Sequence, residues 1–358
     1  MKTSIPTINR TVNSIQFLRF IASLLVLITH STFYTHERFS DSMPVFKAGS
    51  VGVDIFFVIS GFVILLSSIT KNGEFSSGVD FTVKRLTRIV PMYWIATSVK
   101  VIALILSPAI VLHATFDPSR IVLSYFFLPS VSPDGRWEPI LGVGWTLVFE
   151  MFFYFIFAMA LFAKKSPVVI SSLVIVIFSL ISTMRTDDWP VATMYFDKIM
   201  LYFVIGMFSY IMMMKCRRMT LRVFTLVLTA LSVVFIFRKI SYGEPIIERL
   251  SFETFTFVVT FFFIVVQCES LFVGAISKLS TLLGNASYST YLFHPLLAPI
   301  VPTIFKKLSI TINPVFVVIS TVLFALFATV IIHLIIEKPI TNRIRSTLQK
   351  KRKKVVAA

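Results

Sequence analysis

The chain has 358 residues, of which 56% are hydrophobic and only 14% are charged, whereas a soluble domain carries roughly 25% charged residues. Phenylalanine alone occupies 38 positions, and a soluble core of this size would not hide so much apolar surface. The formal net charge of +17 would suit nucleic-acid binding, but the basic residues follow a membrane pattern, so we expect no nucleic-acid partner. Cys216 and Cys268 have no metal-ligand spacing, and we expect neither a disulfide nor a bound metal.

Apolar segments along the chain predict an all-α, polytopic integral membrane protein with about ten transmembrane helices. A span needs about 20 mostly apolar residues, and ten spans leave no room for a separate soluble domain. The predicted spans are 14–34, 50–70, 89–112, 143–163, 167–184, 195–214, 220–238, 252–270, 285–305 and 313–336. The apolar piece 121–128 is too short to span and is expected to be re-entrant or interfacial. We expect one transmembrane domain over 1–340 and a basic cytoplasmic tail over 341–358.

The Lys and Arg residues of the loops predict that both termini lie on the cytoplasmic side. If the N-terminus is inside, the inner segments and the tail carry roughly twice as many Lys and Arg residues as the outer segments. The even number of spans agrees with this orientation. The basic run 350–354 then lies against anionic lipid headgroups, so membrane lipids are expected partners.

Polar residues within the first two spans are the first candidates for function, because a charged side chain in lipid is costly. Arg19 and His30 are separated by about three helical turns, so they share a face and lie about 16 Å apart along the helix axis. Asp54 enters near the outer end of the second span, from which it can approach His30. A carboxylate beside an imidazole suits general-base chemistry on an alcohol. The alternatives are a snorkelling arginine, an interfacial histidine and an aspartate at the headgroup level.

The segment 84–94 opens the third predicted span on the inner side. Arg85 and Arg88 are three residues apart and share a face, and Pro91 suits the first turn of a helix. Two arginines near a helix N-terminus predict a phosphate site, and the alternative is a plain cluster of positive charge on the cytoplasmic side.

Further polar residues fall within later spans: Trp145 and Glu150 in the fourth, Tyr288, Tyr291 and His294 in the ninth, and Glu337 at the inner end of the tenth. A glutamate this deep needs a partner, and Arg19 is the candidate for Glu337. His294 precedes Pro295, so a structural role at a helix kink is the alternative to a functional one. Small residues of the second span are expected to allow close helix packing: Gly52, Ser60 and Gly61.

Together these motifs resemble acyltransferase family 3, a family of bacterial inner-membrane proteins that includes exopolysaccharide and O-antigen acetyltransferases. The matching segments are FLRFIASLLVLITH with Arg19 and His30, GVDIFFVISGF with Asp54, RLTRIVPMYW with Arg85, Arg88 and Tyr93, GVGWTLVFEMFFY with Trp145 and Glu150, and YSTYLFHPL with Tyr291 and His294. They run across nearly the whole chain. The set is quite specific, because lipid does not demand polar residues in that order.

The resemblance implies an O-acetyltransferase of the bacterial cytoplasmic (inner) membrane. It would transfer an acetyl group from cytoplasmic acetyl-CoA to a hydroxyl of a cell-surface or exported polysaccharide or a lipid-linked glycan. By matching positions, the catalytic candidates are His30, Asp54, Arg19 and Glu150, the acyl-CoA contacts are Arg85, Arg88, Tyr93 and Trp145, and the further candidates are Tyr291, His294 and Glu337. Some relatives carry an appended periplasmic domain, whereas this chain ends in a basic tail, so we expect it to act alone.

Two mechanisms fit the resemblance. His30, supported by Asp54, deprotonates the sugar hydroxyl that attacks the thioester, or His30 carries the acyl group transiently between the two membrane faces. Arg85 and Arg88 would hold the donor's phosphates, and succinyl or another acyl group also fits as donor. The alternative from another class is a transporter or flippase for a lipid-linked sugar, which also has intramembrane charges and broken helices.

Overall fold

The computed structural model describes residues 12–69, 74–107, 115–186, 189–248 and 250–357, and within these ranges it contains helices and no strand. The helices are α1 (Asn13–Arg38), α2 (Val51–Ser68), α3 (Gly78–Leu106), α4 (Pro118–Tyr125), α5 (Trp145–Phe162), α6 (Pro167–Ile181), α7 (Leu201–Lys215), α8 (Arg218–Tyr242), α9 (Phe252–Gln267), α10 (Gly274–Leu297), α11 (Ile300–Lys307), α12 (Pro314–Ile332) and α13 (Lys338–Ala357). A π-helical turn, His333–Glu337, joins α12 to α13.

The apolar helices confirm the prediction of an all-α, polytopic membrane protein. Within the described ranges, eight helical segments are long and apolar enough to cross a membrane, and the last of them runs from α12 into α13 as Pro314–Lys350. The predicted eighth span coincides with α9, which is apolar and 16 residues long. The count of ten and the cytoplasmic position of both termini stay predictions. The predicted end of the third span, 108–112, lies outside the described residues.

The third helix begins earlier than predicted. α3 starts at Gly78 and is capped by the side chain of Ser77. Arg85 and Arg88 therefore lie in the second and third turns, and Pro91 lies in the interior of the helix rather than in its first turn. The predicted position of Arg85 and Arg88 near the helix N-terminus is wrong, and backbone N–H groups this far along a helix are already bonded, whereas the phosphate site at the two arginines stays a prediction. An anion at these arginines is held by side chains.

The predicted ninth span, 285–305, is wrong at both ends. The helix begins well before residue 285, as α10, and the chain breaks at Ala298 before α11 begins. Pro295 lies inside α10, and Pro299 is the N-cap of α11. A proline cannot donate a backbone hydrogen bond, which accounts for the end of one helix and the start of another at this point.

Glycines let α2 approach its neighbours backbone to backbone. A Cβ at Gly52 would overlap the carbonyl oxygen of Ala22 in α1, and one at Gly61 would overlap the backbone of Phe203 in α7. Gly206 makes the reciprocal contact from α7 to α2. The predicted close packing at Gly52 and Gly61 is confirmed. It fixes α2 between α1 and α7, so α2 can form one wall of the site described below.

Replacing Gly61 with leucine is expected to prevent stable folding. The obstacle to a side chain there is backbone rather than a movable side chain, so the two helices must separate, at a cost of more than about 3 kcal/mol. Thermal unfolding of the detergent-solubilised protein measures the effect, with Val227→Leu on an exposed part of α8 as the control. A Gly61→Leu protein that melts like the wild type would contradict the packing.

Candidate active site

A cavity of about 270 Å³ lies inside the bundle and brings together side chains from α1, α2, α3, α5 and α10. We name it the inner cavity. Its charged lining residues are Arg19 of α1, Arg85 and Arg88 of α3, and Glu150 of α5. Tyr291 of α10 also lines it. Five of the predicted site residues, from four helices far apart in the sequence, therefore meet in one place.

Glu150 is held in the inner cavity by two hydroxyl groups. The Ser60 hydroxyl of α2 donates a hydrogen bond to its Oε1 at 3.0 Å, and the Tyr154 hydroxyl donates to the same oxygen. Ser60 is predicted above only to allow helix packing, and Tyr154 is not among the predicted site residues. The signal for Tyr154 was its position four residues after Glu150, which places both on one face of α5. These bonds let a carboxylate lie among apolar helices.

Arg85 and Arg88 lie one turn apart on α3 but have different environments. Arg85 is 7% exposed, its guanidinium carbon lies 5.5 Å from the ring centroids of both Phe81 and Tyr154, and it donates a hydrogen bond to the Ser67 hydroxyl. Arg88 has no hydrogen bond or ion pair to another residue in the described part of the chain, and it faces two cavities. Arg85 is therefore part of the cavity wall, whereas the Arg88 guanidinium is available to a ligand.

A second, larger cavity of about 700 Å³ adjoins the inner one, and we name it the outer bowl. Gln16, Arg19 and Arg88 line both cavities and so form the junction between them. The Arg19 guanidinium donates a hydrogen bond to Gln16 Oε1 at 3.4 Å. The two cavities therefore meet at a polar junction that carries two positive charges.

Glu337 lines the outer bowl together with Arg19, its predicted partner. Its Oε2 accepts hydrogen bonds from the Ser289 hydroxyl at 2.6 Å and from His333 Nδ1 at 2.8 Å. The hydrogen bonds of this carboxylate thus go to α10 and to the π-helical turn. Arg19 and Glu337 face one cavity without a direct ion pair between them.

His30 and His294 form a pair of imidazoles beside Tyr291. Their ring centroids lie 4.7 Å apart with an edge-on arrangement, and the Tyr291 ring lies 6.1 Å from that of His294. Each Nδ1 lies 3.0 Å from the backbone carbonyl oxygen four residues earlier, that of Val26 for His30 and that of Thr290 for His294. A carbonyl only accepts, so each neutral ring carries its proton on Nδ1 and leaves Nε2 as the base.

His294 is fully buried, and its Nε2 has no hydrogen-bond partner among the described residues. A buried nitrogen left without a partner is costly, so it calls for a reason other than stability. The Tyr291 hydroxyl donates to the carbonyl of Val143 at 3.1 Å, which fixes the position of its ring. This ring lines the inner cavity and lies 6.1 Å from that of His294, so two imidazole bases lie next to a wall residue of the cavity that holds the arginines.

Six predicted site residues do not line the inner cavity: His30, His294 and Glu337, described above, and Asp54, Tyr93 and Trp145. Asp54 is 2% exposed and lies in the first turn of α2. Because His30 Nδ1 is bonded to a backbone carbonyl, a carboxylate can reach this ring only through Nε2. Tyr93 is fully buried, with its ring 4.5 Å from that of Phe127, and Trp145 packs edge-on against phenylalanine rings of α2 and α5.

Comparison with known proteins identifies the family. The model of the acyltransferase domain matches residues 12–336, which include the histidine pair and the lining of the inner cavity. The chain belongs to acyltransferase family 3. This member of the family is 32% identical over 310 residues to the exopolysaccharide production protein ExoZ of Rhizobium meliloti (strain 1021), across 84% of this chain and 92% of ExoZ. No solved structure matches the chain.

Family membership makes the protein an acyltransferase, and the interpretation as a transporter or flippase is not supported. For an acyltransferase of family 3, the inner cavity and the histidine pair are the candidate active site. Arginines suit an anionic donor, and an imidazole with a free Nε2 suits proton transfer from a hydroxyl.

Replacing Glu150 with glutamine is expected to lower acyl transfer at least about tenfold while the protein still folds. The amide keeps the size of the side chain but loses the charge that faces the arginines, and one of its two polar atoms can only donate to the hydroxyls. Steady-state acyl transfer measures the effect, with Glu253→Gln, outside both cavities, as the control. Unchanged activity of Glu150→Gln would limit Glu150 to a structural role.

Proposed function

We propose that the protein transfers an acetyl group from acetyl-CoA to a hydroxyl of an exopolysaccharide or of its lipid-linked precursor, in the cytoplasmic membrane of a bacterium. The observation that carries the proposal is the inner cavity, whose lining includes three arginines and Tyr291, with the histidine pair next to the Tyr291 ring. The arginines support a phosphorylated donor. Similarity to an exopolysaccharide production protein supports a glycan acceptor.

His30 acts as the general base in this proposal. Its Nε2 takes the proton of the acceptor hydroxyl as the hydroxyl oxygen attacks the thioester carbonyl. The tetrahedral intermediate collapses to the ester, and the departing thiolate of CoA takes the proton from the imidazolium. The Val26 carbonyl keeps the His30 ring in the tautomer that leaves Nε2 free.

The same nitrogen also serves a two-step route. His30 Nε2 attacks the thioester and releases CoA thiolate, and the acceptor oxygen then attacks the acyl-imidazole and gives its proton to a second base. His294, whose ring lies 4.7 Å away and whose Nε2 is free, is placed to be that base. The two routes differ in whether an acyl group is ever bonded to the protein.

The test is made with purified protein in lipid nanodiscs, acetyl-CoA radiolabelled in the acetyl group, and deacetylated exopolysaccharide fragments. We expect consumption of the thioester and transfer of the label to the glycan. Label trapped on the protein before acceptor is added would support the two-step route. A parallel series with succinyl-CoA compares donors. If folded protein neither binds nor cleaves either thioester in the presence of acceptor, the proposal is contradicted.

A further inference from the structure

The described residues that line the outer bowl carry an excess of positive charge. Its charged lining residues are Lys278 of α10, Lys338 and Arg345 of α13, Arg19, Arg88 and the single carboxylate Glu337. Among the described residues, Lys278, Lys338 and Arg345 take part in no ion pair. Glu337 Oε2 accepts its hydrogen bonds from Ser289 and His333, and not from the lysines. Five basic side chains around one cavity favour a ligand with several negative charges.

The position of the outer bowl, like its charge, bears on which ligand it can bind. Gln16, Arg19 and Arg88 line both the outer bowl and the inner cavity, so the two cavities adjoin at these side chains. The two cavities differ in kind, because the outer bowl is larger and lined mainly by polar residues, whereas most of the inner lining is apolar. A molecule that fits both is charged and bulky at one end and thin and uncharged at the other.

Acyl-CoA has that shape, with three phosphate groups at its nucleotide end and an uncharged pantetheine arm that ends in the thioester. We infer that the outer bowl binds the 3′-phosphorylated ADP end of the donor through Lys278, Lys338 and Arg345. The pantetheine arm passes the junction at Arg19 and Arg88 into the inner cavity. This inference rests on the proposed function, since it takes acyl-CoA as the donor.

The test separates the phosphates from the rest of the donor. Acetyl-CoA and S-acetylpantetheine, which carries the same thioester arm without phosphates, are compared as donors in nanodiscs of zwitterionic lipid. We expect the triple variant Lys278→Ala/Lys338→Ala/Arg345→Ala to raise the KM for acetyl-CoA at least about tenfold, because each charge-assisted contact to phosphate is lost. The KM for S-acetylpantetheine should change less than about twofold. Arg343→Ala, on α13 but outside the bowl, is the matched control.

Two further measurements keep the outcome decisive. Adenosine 3′,5′-bisphosphate should compete with acetyl-CoA in the wild type and do so at least about tenfold more weakly in the triple variant. If the triple variant loses its fold, Lys278→Gln alone is expected to show the same selective rise in KM to a smaller extent.

The inference is overturned if the variant raises both KM values equally or leaves the KM for acetyl-CoA unchanged. It is also overturned if the effect needs anionic lipid in the nanodisc, because the cations would then bind headgroups. A wild-type protein that uses no CoA thioester contradicts the proposed function itself. If the wild type uses acetyl-CoA and the triple variant has the same KM for it, only the assignment of the outer bowl is contradicted.

Discussion

Replacing His30 with alanine is expected to abolish acyl transfer, with kcat lower by at least about a hundredfold, the range in which general bases contribute. In the proposed mechanism Nε2 of His30 is the base, its tautomer is fixed by a backbone carbonyl 3.0 Å from Nδ1, and alanine offers no replacement. Thioester consumption at saturating donor measures the loss. His36→Ala is the control, because His36 lies on the same helix and its Nδ1 is bonded to the Met43 carbonyl, away from the pair.

A His30→Ala protein that folds and keeps more than about a tenth of the wild-type kcat would contradict a role as base. His294→Ala distinguishes the two routes. If His294 is the second base of the two-step route, its loss should leave labelled protein that turns over slowly. In the one-step route, no labelled protein accumulates with either histidine replaced.

Replacing each arginine of α3 with alanine is expected to have a different effect, on the KM for the donor in Arg88→Ala and on the free energy of unfolding in Arg85→Ala. Arg88→Ala should raise the KM for acetyl-CoA at least about tenfold with little change in melting temperature, because Arg88 faces both cavities and has no hydrogen-bond or ion-pair partner among the described residues. Arg85→Ala should lower the free energy of unfolding by about 2–4 kcal/mol, because it empties the space between two aromatic rings and removes a buried hydrogen bond.

Steady-state kinetics and thermal unfolding in the same detergent separate the two effects. Arg217→Ala, at the N-cap of α8 and outside both the inner cavity and the outer bowl, is the control for loss of a positive charge away from the site. If Arg85→Ala melts like the wild type and only its KM rises, Arg85 contacts the donor directly. If Arg88→Ala leaves the KM unchanged, the junction between the cavities does not carry the donor.

Much of the site follows from the sequence because of the membrane itself. Charged residues in apolar segments must turn toward the inside of the bundle, so the sequence predicts that Arg19 and Glu150 face other helices. For the same reason Arg85 and Arg88 are predicted to face other helices, and they line the cavity although α3 begins earlier than the sequence predicts. The sequence does not predict the start of α3 at Gly78, because residues 74–88 include many polar residues and hydropathy identifies the apolar part of a helix, not its cap. The Ser77 cap was the signal that could have shown it.

The sequence does not predict that the rings of His30 and His294 lie against each other. His294 had a structural interpretation beside Pro295, and nothing local to α10 shows that its ring faces α1. That contact depends on how closely the two helices approach, which Gly284 sets by lying against the backbone of Gln16. Likewise, Pro295, Pro299 and Pro302 indicate a break within the ninth predicted span but not its position, which is Ala298 in the structure.

The first turn of α1 has a consequence for biogenesis. Its N–H groups at Asn13 and Ser14 donate to the two carboxylate oxygens of Glu269 at 2.9 and 2.8 Å, from a residue 256 and 255 positions further along the chain. Translation produces α1 long before Glu269, so these two N–H groups lack their carboxylate partner until residue 269 has been synthesised. A nascent chain interrupted before Glu269 therefore leaves the first turn of α1 without these two native hydrogen bonds.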